Sequence, residues 1–234
     1  VTGGTAAWCQ QRRARGRHQY ACDVILVIGS LAYDAAGRTA AGRTAAIARE
    51  VARRQRRVEV VARIGDDEAG DQLLLALARD GVGHVAVLRD AGRATALAVL
   101  EDASPGSERP VVEELLEDEA ASQLPVARDG PRLQPNDVAL AIEYLDGVQL
   151  VVVDVGDDAS TVRAAVTGAE FHGAHVLALF PGSAKSPALA GVTQLLVPPE
   201  SRDSAFPAVI ATLAVAMHDG ADPGDALSGL VAHR

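Results

Sequence analysis

Lysine is almost missing from this chain. Lys185 stands alone among 22 basic residues in a sequence of 234, and all the others are arginines. A phosphate-binding lysine is therefore scarcely available. Aromatic residues make up only 3%, so a core has to be assembled from alanine, valine and leucine. The two cysteines, Cys9 and Cys22, make neither a disulfide framework nor a metal-ligand pair at that spacing, which fits a reducing cytoplasm. No run of about 18 apolar residues occurs, so no membrane span is expected. Positive charge is in deficit too. A net charge of −9 argues against general nucleic-acid binding, which needs a basic face to displace counterions. Neither the P-loop pattern nor G-x-G-x-x-G is present.

What is present describes a globular protein: 48% apolar residues, and enough length for one sizeable domain or one domain with a small lobe. The first 20 residues differ from the rest. QQRRARGRHQ (10–19) is basic and has no apolar segment of its own, so residues 1–20 read as a disordered basic tail ahead of a folded domain at 21–234. The run that follows, DVILVIGSLAYD, is interrupted by aspartates and glycine and reads as a strand rather than a signal peptide.

Short β-branched runs then alternate with Ala/Leu-rich stretches. Strands are predicted at 23–29, 58–64, 84–89, 94–100, 148–154, 174–180 and 192–197. Helices are predicted at 44–55, 68–80, 136–145, 158–172, 205–218 and 223–232. VILVIG and LVVVDV are apolar on both faces, as in a buried parallel sheet with helices on each side. The fold class is therefore α/β, doubly wound. Residues 101–134, acid-rich at the centre, are the least regular. One pentapeptide is duplicated: AAGRT at 35–39 and again at 40–44, too short for a repeat architecture.

The stretch ARIGDDEAGDQLLLALARDGV (62–82) places Asp66, Asp67, Glu68 and Asp71 close together. Metal ligands would have to converge from several elements, whereas these acids sit at one helix start. There, Asp66 or Asp67 can accept from the open N–H groups, and the others favour the positive end of the helix dipole. The cluster reads as a cap, and no metal site is expected. The six histidines show no ligand spacing. Asp154, Asp157 and Asp158 follow a buried strand at the edge where α/β proteins bind ligands, and capping of the next helix competes for them. Ser183 and Ser186 lack a hydrolase-type His–Asp arrangement.

The order "strand, G-D-D-x-x-G, amphipathic helix, L-x-x-x-G-V" resembles the ribokinase-like (PfkB) carbohydrate kinase family. DVILVIGSLAYD looks like that family's opening strand, HVAVLRDAGRATALAVLED like the strand pair after its "GV" helix, and DSAFPAVIATLAVAMHDGADPGDALSGLV like its last helices. The resemblance implies a three-layer α/β/α sandwich with a mostly parallel central sheet, here with the β-lid and part of the nucleotide lobe missing. It implies ATP-dependent phosphoryl transfer to a sugar or nucleoside hydroxyl, with ATP and Mg2+ as cofactors and a small molecule as partner. Asp203 corresponds to the catalytic base that ends the family's G-A-G-D motif, with Ser201 and Arg202 at the phosphate. Asp34, Gly42 and Thr95 correspond to substrate-binding positions. The chain departs from the pattern where Ser201 and Arg202 lie near lost glycines, and where Ala46 and Phe180 stand at sugar-binding positions. A second reading is therefore a catalytically inactive member that binds a small molecule or a protein partner.

Overall fold

A strand buried on both faces can only exist between two layers, and the β-branched runs follow that rule. The computed structural model describes residues 23–99, 126–128, 130–156, 158–180, 191–198 and 205–232. VILVIG forms β1 (Val24–Gly29), with every residue buried. In chain order there follow β2 (Ala32–Asp34), β3 (Thr39–Ala41), α1 (Arg43–Arg53), β4 (Val58–Gly65), α2 (Glu68–Arg79) and β5 (Val87–Asp90). Next come β6 (Leu97–Val99), β7 (Val126–Arg128), α3 (Pro135–Tyr144), β8 (Val148–Asp154), α4 (Ala159–His172), β9 (His175–Leu179), β10 (Gln194–Leu196), α5 (Ala205–His218) and α6 (Pro223–Ala232). The predicted helices match these to within a residue or two. β5 begins at Val87 rather than at His84, because Val87 N first closes a turn onto the His84 carbonyl.

The main sheet has six strands in the order β10-β9-β8-β1-β4-β5, and every pair is parallel. Alternate side chains divide the core in two. Ile25, Val27, Val60 and Leu150 pack under α1, α2 and α5. Leu26, Ile28, Val61 and Val151 pack under α3 and α4. Scarce aromatics are offset by close approach of small residues: a Cβ on Gly168 in α4 would lie 2.8 Å from Ile142 Cδ1 in α3. Such close contact recovers dispersion energy that bulkier side chains would otherwise supply.

A second sheet, ordered β3-β2-β6-β7, corrects one expectation. The link from Asp34 to α1, expected to be a bare connection, contains β3 paired antiparallel with β2. β2 pairs in parallel with β6 at Tyr33 and Leu97, and β6 pairs antiparallel with β7. Its small core is alanine alone: Ala32, Ala41 and Ala96. The expected tail at 1–20 and the acidic centre of 101–134 lie outside the described residues.

Candidate functional site

From β1 the chain builds β4 and β5 on one side, then returns to place β8, β9 and β10 on the other. Connections leave β1 and β8 toward opposite faces of the sheet, opening a crevice above their C-terminal ends. Gly29 and Asp154, the last residues of those strands, are register partners. A side chain on Gly29 has no room: its Cβ would lie 2.2 Å from Thr44 Oγ1 and 2.6 Å from the Asp154 carbonyl oxygen. The N-terminus of α1 is thereby drawn directly over the crevice.

Asp154 is buried at 8% exposure, and an unpaired carboxylate there would be costly. Arg43, the first residue of α1, answers it with one edge of its guanidinium. Nε donates to Oδ2 at 2.9 Å and Nη2 donates to Oδ1 at 2.5 Å. Thr44 Oγ1 stands 3.5 Å from Oδ2. The two-pronged geometry fixes the plane of the guanidinium as well as its position. Gly42 caps α1 with φ 95° and ψ 164°, a region open essentially to glycine, and it places no side chain over the first N–H groups. Asp158, in contrast, caps α4. Its carboxylate accepts from Ser160 N at 3.0 Å and Thr161 N at 3.2 Å. Burial would raise its pKa, but the bonds from Ser160 and Thr161 outweigh that and lower it.

Asp34 ends β2 opposite Thr39, two residue rows or about 7 Å along the hairpin from the Ala32–Ala41 pair that adjoins Gly42. Its Oδ1 accepts from Ala36 N at 3.0 Å. Its Oδ2 lies over Gly37, where a Cβ would approach it to 2.5 Å. The carboxylate therefore closes its own turn at the hairpin tip.

The GDDEAGD segment is a cap with a second duty. Asp67 accepts from Gly70 N at 2.8 Å, closing the first turn of α2. It also accepts from Thr95 N at 2.8 Å and from Thr95 Oγ1 at 2.6 Å, and Thr95 Oγ1 in turn accepts from Gly65 N at 3.0 Å. Burial pushes the Asp67 carboxyl up, while the bonds from Thr95 and Gly70 pull it below its ordinary value. Both flanking glycines are sterically required: a Cβ on Gly65 would sit 2.4 Å from Thr95 N, and one on Gly70 would sit 2.6 Å from the Gly65 carbonyl oxygen. Arg89 holds Asp66 at 3.0 Å and also pairs with Asp71. Among the described residues, no group of three His, Cys, Asp or Glu could hold a metal ion.

Residues 30–198 match the pfkB family of carbohydrate kinases. This chain belongs to the PfkB family. An Arabidopsis thaliana ribokinase, solved with ribose and ATP, is similar with a TM-score of 0.58 at 16% identity, covering 88% of this chain and 89% of that one. A putative ribokinase II from E. coli, in its apo form, reaches 0.50 at 14% identity, covering 89% of this chain and 69% of its own. An uncharacterized sugar kinase from Pyrococcus horikoshii is 17% identical with a TM-score of 0.46, covering 70% of this chain and 54% of its own. This chain thus spans about half the length of that kinase. At these identities the likeness is one of fold. No curated protein matches the chain.

Within this PfkB chain the expected site residues fall into three groups. Asp34 and Gly42 lie on the hairpin and the α1 start, at the edge where β1 and β8 end. Thr95 is 4% exposed, and its hydroxyl is committed to Asp67 and Gly65, so it serves the α2 cap. Asp203, Ser201 and Arg202 lie outside the described residues, immediately before α5. α5 runs alongside α1 in the same direction: Arg54 donates to Thr212 Oγ1 at 3.0 Å, and Arg56 holds both oxygens of Asp219. Both helices therefore begin at the same edge of the sheet. Sequence reasoning missed Arg43. The available signal was an arginine directly after a helix-opening glycine, together with an acid closing a buried strand.

Proposed function

We propose that this PfkB-family chain is an ATP-dependent kinase acting on a sugar or nucleoside hydroxyl, with the acceptor in the crevice above β1 and β8. The supporting observation is that α1 and α5 start at one edge, beside the point where strand order reverses. That arrangement brings an acceptor site and a helix N-terminus suited to phosphate side by side. Asp34 and the open N–H groups after Gly42 hold acceptor hydroxyls. Asp203 takes the proton from the attacking hydroxyl as its oxygen bonds to the γ-phosphorus and the bond to ADP breaks. Ser201, Arg202 and the first N–H groups of α5 stabilise the charge on the transferring phosphoryl group. Mg2+ would come with the nucleotide, where it would supply neutralisation of phosphate charge.

A second reading, a binder without phosphoryl transfer, is favoured by Glu200 and Arg202 standing where the resemblance implies the two glycines of the G-A-G-D motif. Each lost donor to the transition state costs about 3 kcal/mol. Calorimetry with Mg-ATP on the full chain separates the two readings. Micromolar binding, with turnover abolished in Asp203→Ala, supports the kinase. Absence of binding at millimolar ATP removes it.

A further inference from the structure

We propose that the exposed ends of α3 and α4 form a docking surface for this chain's own basic N-terminal segment, residues 10–19. The surface lies at the opposite edge of the sheet from the acceptor crevice and owes nothing to phosphoryl transfer.

Aromatic side chains are scarce here, and two of them face solvent at this end. The whole chain holds three tyrosines, three phenylalanines and one tryptophan. Tyr144, closing α3, is 75% exposed, and Phe171, in the last turn of α4, is 80% exposed. Leu140, one turn before Tyr144 on the same helix face, is 62% exposed. α3 ends just before β8 begins and α4 just before β9 begins, so both helices finish at the edge where the parallel strands start. His172 ties their last turns together. Its Nε2 lies 2.9 Å from the Ile142 carbonyl oxygen, and its ring meets Phe171 edge-on with 5.4 Å between centroids.

Charge at this end is of one sign. Glu143, Asp146 and Glu170 are exposed and make no ion pair among the described residues. The exposed arginines of the same layer, Arg132 and Arg163, sit before α3 and in the first half of α4, toward the other ends of the helices. The negative poles of both helix dipoles also point this way. Across the sheet at the same edge, Arg53 and Arg54 are matched by Glu50, Arg56 by Asp219 and Arg57 by Glu59, and the exposed Arg79 ends α2 on that far side. Two copies of the acidic surface would oppose like charges, which disfavours face-to-face pairing.

Composition and reach point to the occupant. Residues 1–22 contain Arg12, Arg13, Arg15 and Arg17 and no acidic residue, in a chain of net charge −9. The segment joins the fold beside the surface: Val24 N, at the start of β1, donates to the Gly147 carbonyl at 2.9 Å, three residues beyond Tyr144. Arg17 stands six residues before Asp23 and Arg12 eleven. Extended chain of those lengths spans up to about 20 Å and about 36 Å, more than the length of α3, about 15 Å. A guanidinium stacks on the face of an exposed tyrosine or phenylalanine ring, and the neighbouring carboxylates accept from its edges. Tethering beside the surface lets individually weak contacts hold the segment there.

Trp8 is the single tryptophan and lies in the same segment, so its fluorescence anisotropy reports that segment alone. The full chain is digested with limiting trypsin, cleavage after Arg12, Arg13, Arg15 and Arg17 is followed by mass spectrometry, and Trp8 anisotropy is read on the same samples. At low salt, Tyr144→Ser with Phe171→Ser should speed this cleavage about fivefold, as expected for the loss of two exposed cation–π contacts. Anisotropy should fall with it while the melting temperature stays unchanged. Raising the salt to about 0.5 M should move the wild type toward the variant, because screening weakens the attraction. If the double variant does not fold, Glu143→Gln, Asp146→Asn and Glu170→Gln together should show the same release. Equal cleavage rates in wild type and a folded variant overturn the inference. So does protection that grows with protein concentration alongside a dimer in sedimentation, since the segment would then sit on a second copy.

Discussion

Replacing Asp67 with alanine should lower the melting temperature by about 6–12 °C. The carboxylate accepts three hydrogen bonds, from Gly70 N, Thr95 N and Thr95 Oγ1. An N-cap alone contributes about 1 kcal/mol. The bonds from Thr95 are charge-assisted and fasten a separate segment, so each adds roughly 1 kcal/mol net. Gly70 and Thr95 are buried, so water replaces the lost acceptor poorly. The sum is about 3 kcal/mol, and a domain of this size shifts about 2–4 °C per kcal/mol. Asp67→Asn keeps one carbonyl acceptor and should lose about half as much. The assay is thermal and urea unfolding of both variants, with Thr95→Val completing a double-mutant cycle. Because Thr95→Val removes the hydroxyl bond to Asp67 but keeps the bond from Thr95 N, the losses should be non-additive by about 1 kcal/mol. A loss below about 1 kcal/mol in Asp67→Ala, or an equal loss with Thr95→Val already present, would refute the shared network. Stabilisation by Mg2+ or Ca2+ that disappears in Asp67→Ala would restore the metal reading of the acidic cluster.

Acid should erase the advantage of the same caps. Asp67 and Asp158 both lie below their ordinary value of 3.8 in the folded protein, through the hydrogen bonds that outweigh burial. A lowered folded pKa gives stability that is complete above the ordinary value and is lost as pH falls through the folded one. The gap in urea midpoint between wild type and Asp158→Ala should therefore be full near neutrality and shrink as pH falls below the ordinary value of 3.8; a gap of constant size would contradict this. Gly29→Ala should destabilise by about 2 kcal/mol or more, since its methyl meets both Thr44 Oγ1 and the Asp154 carbonyl oxygen. Adding Thr44→Ala should give only partial recovery in thermal melts, because the carbonyl stays in place, and full recovery would show that the backbone contact yields.

The main sheet was legible in the sequence because burial on two faces leaves a chemical trace: VILVIG and LVVVD admit no polar face. Helix ends were legible for the same local reason. Asp67 and Asp158 cap, Pro135 opens α3, and Gly173 closes α4 in the left-handed conformation at φ 65°. β2 and β3 carried no such trace. AYD and TAA are three residues each, alanine-rich, and made strands by their neighbours rather than by propensity. The site was hidden by distance along the chain. Asp154 lies 111 residues from Arg43, and beside Asp158 it looks like a second candidate for one cap. The bond from Thr95 to Asp67 likewise spans 28 residues and leaves no trace in local spacing.

The duplicated AAGRT shows that one pentapeptide can take two backbones. In the first copy Arg38 adopts the left-handed conformation at φ 52°; in the second, Gly42 takes positive φ and Arg43 and Thr44 enter the helix. The first copy supplies the hairpin turn with Thr39, and the second completes β3 and opens α1. Because the copies are identical and adjacent, deletion of either one leaves Asp34 followed by the same five residues and then the remainder of α1. The hairpin would vanish while Arg43 kept its place in the sequence next to the helix. Such a deletion would take away the β2–β3 hairpin together with the buried Ala40 and Ala41 that it contributes to the core.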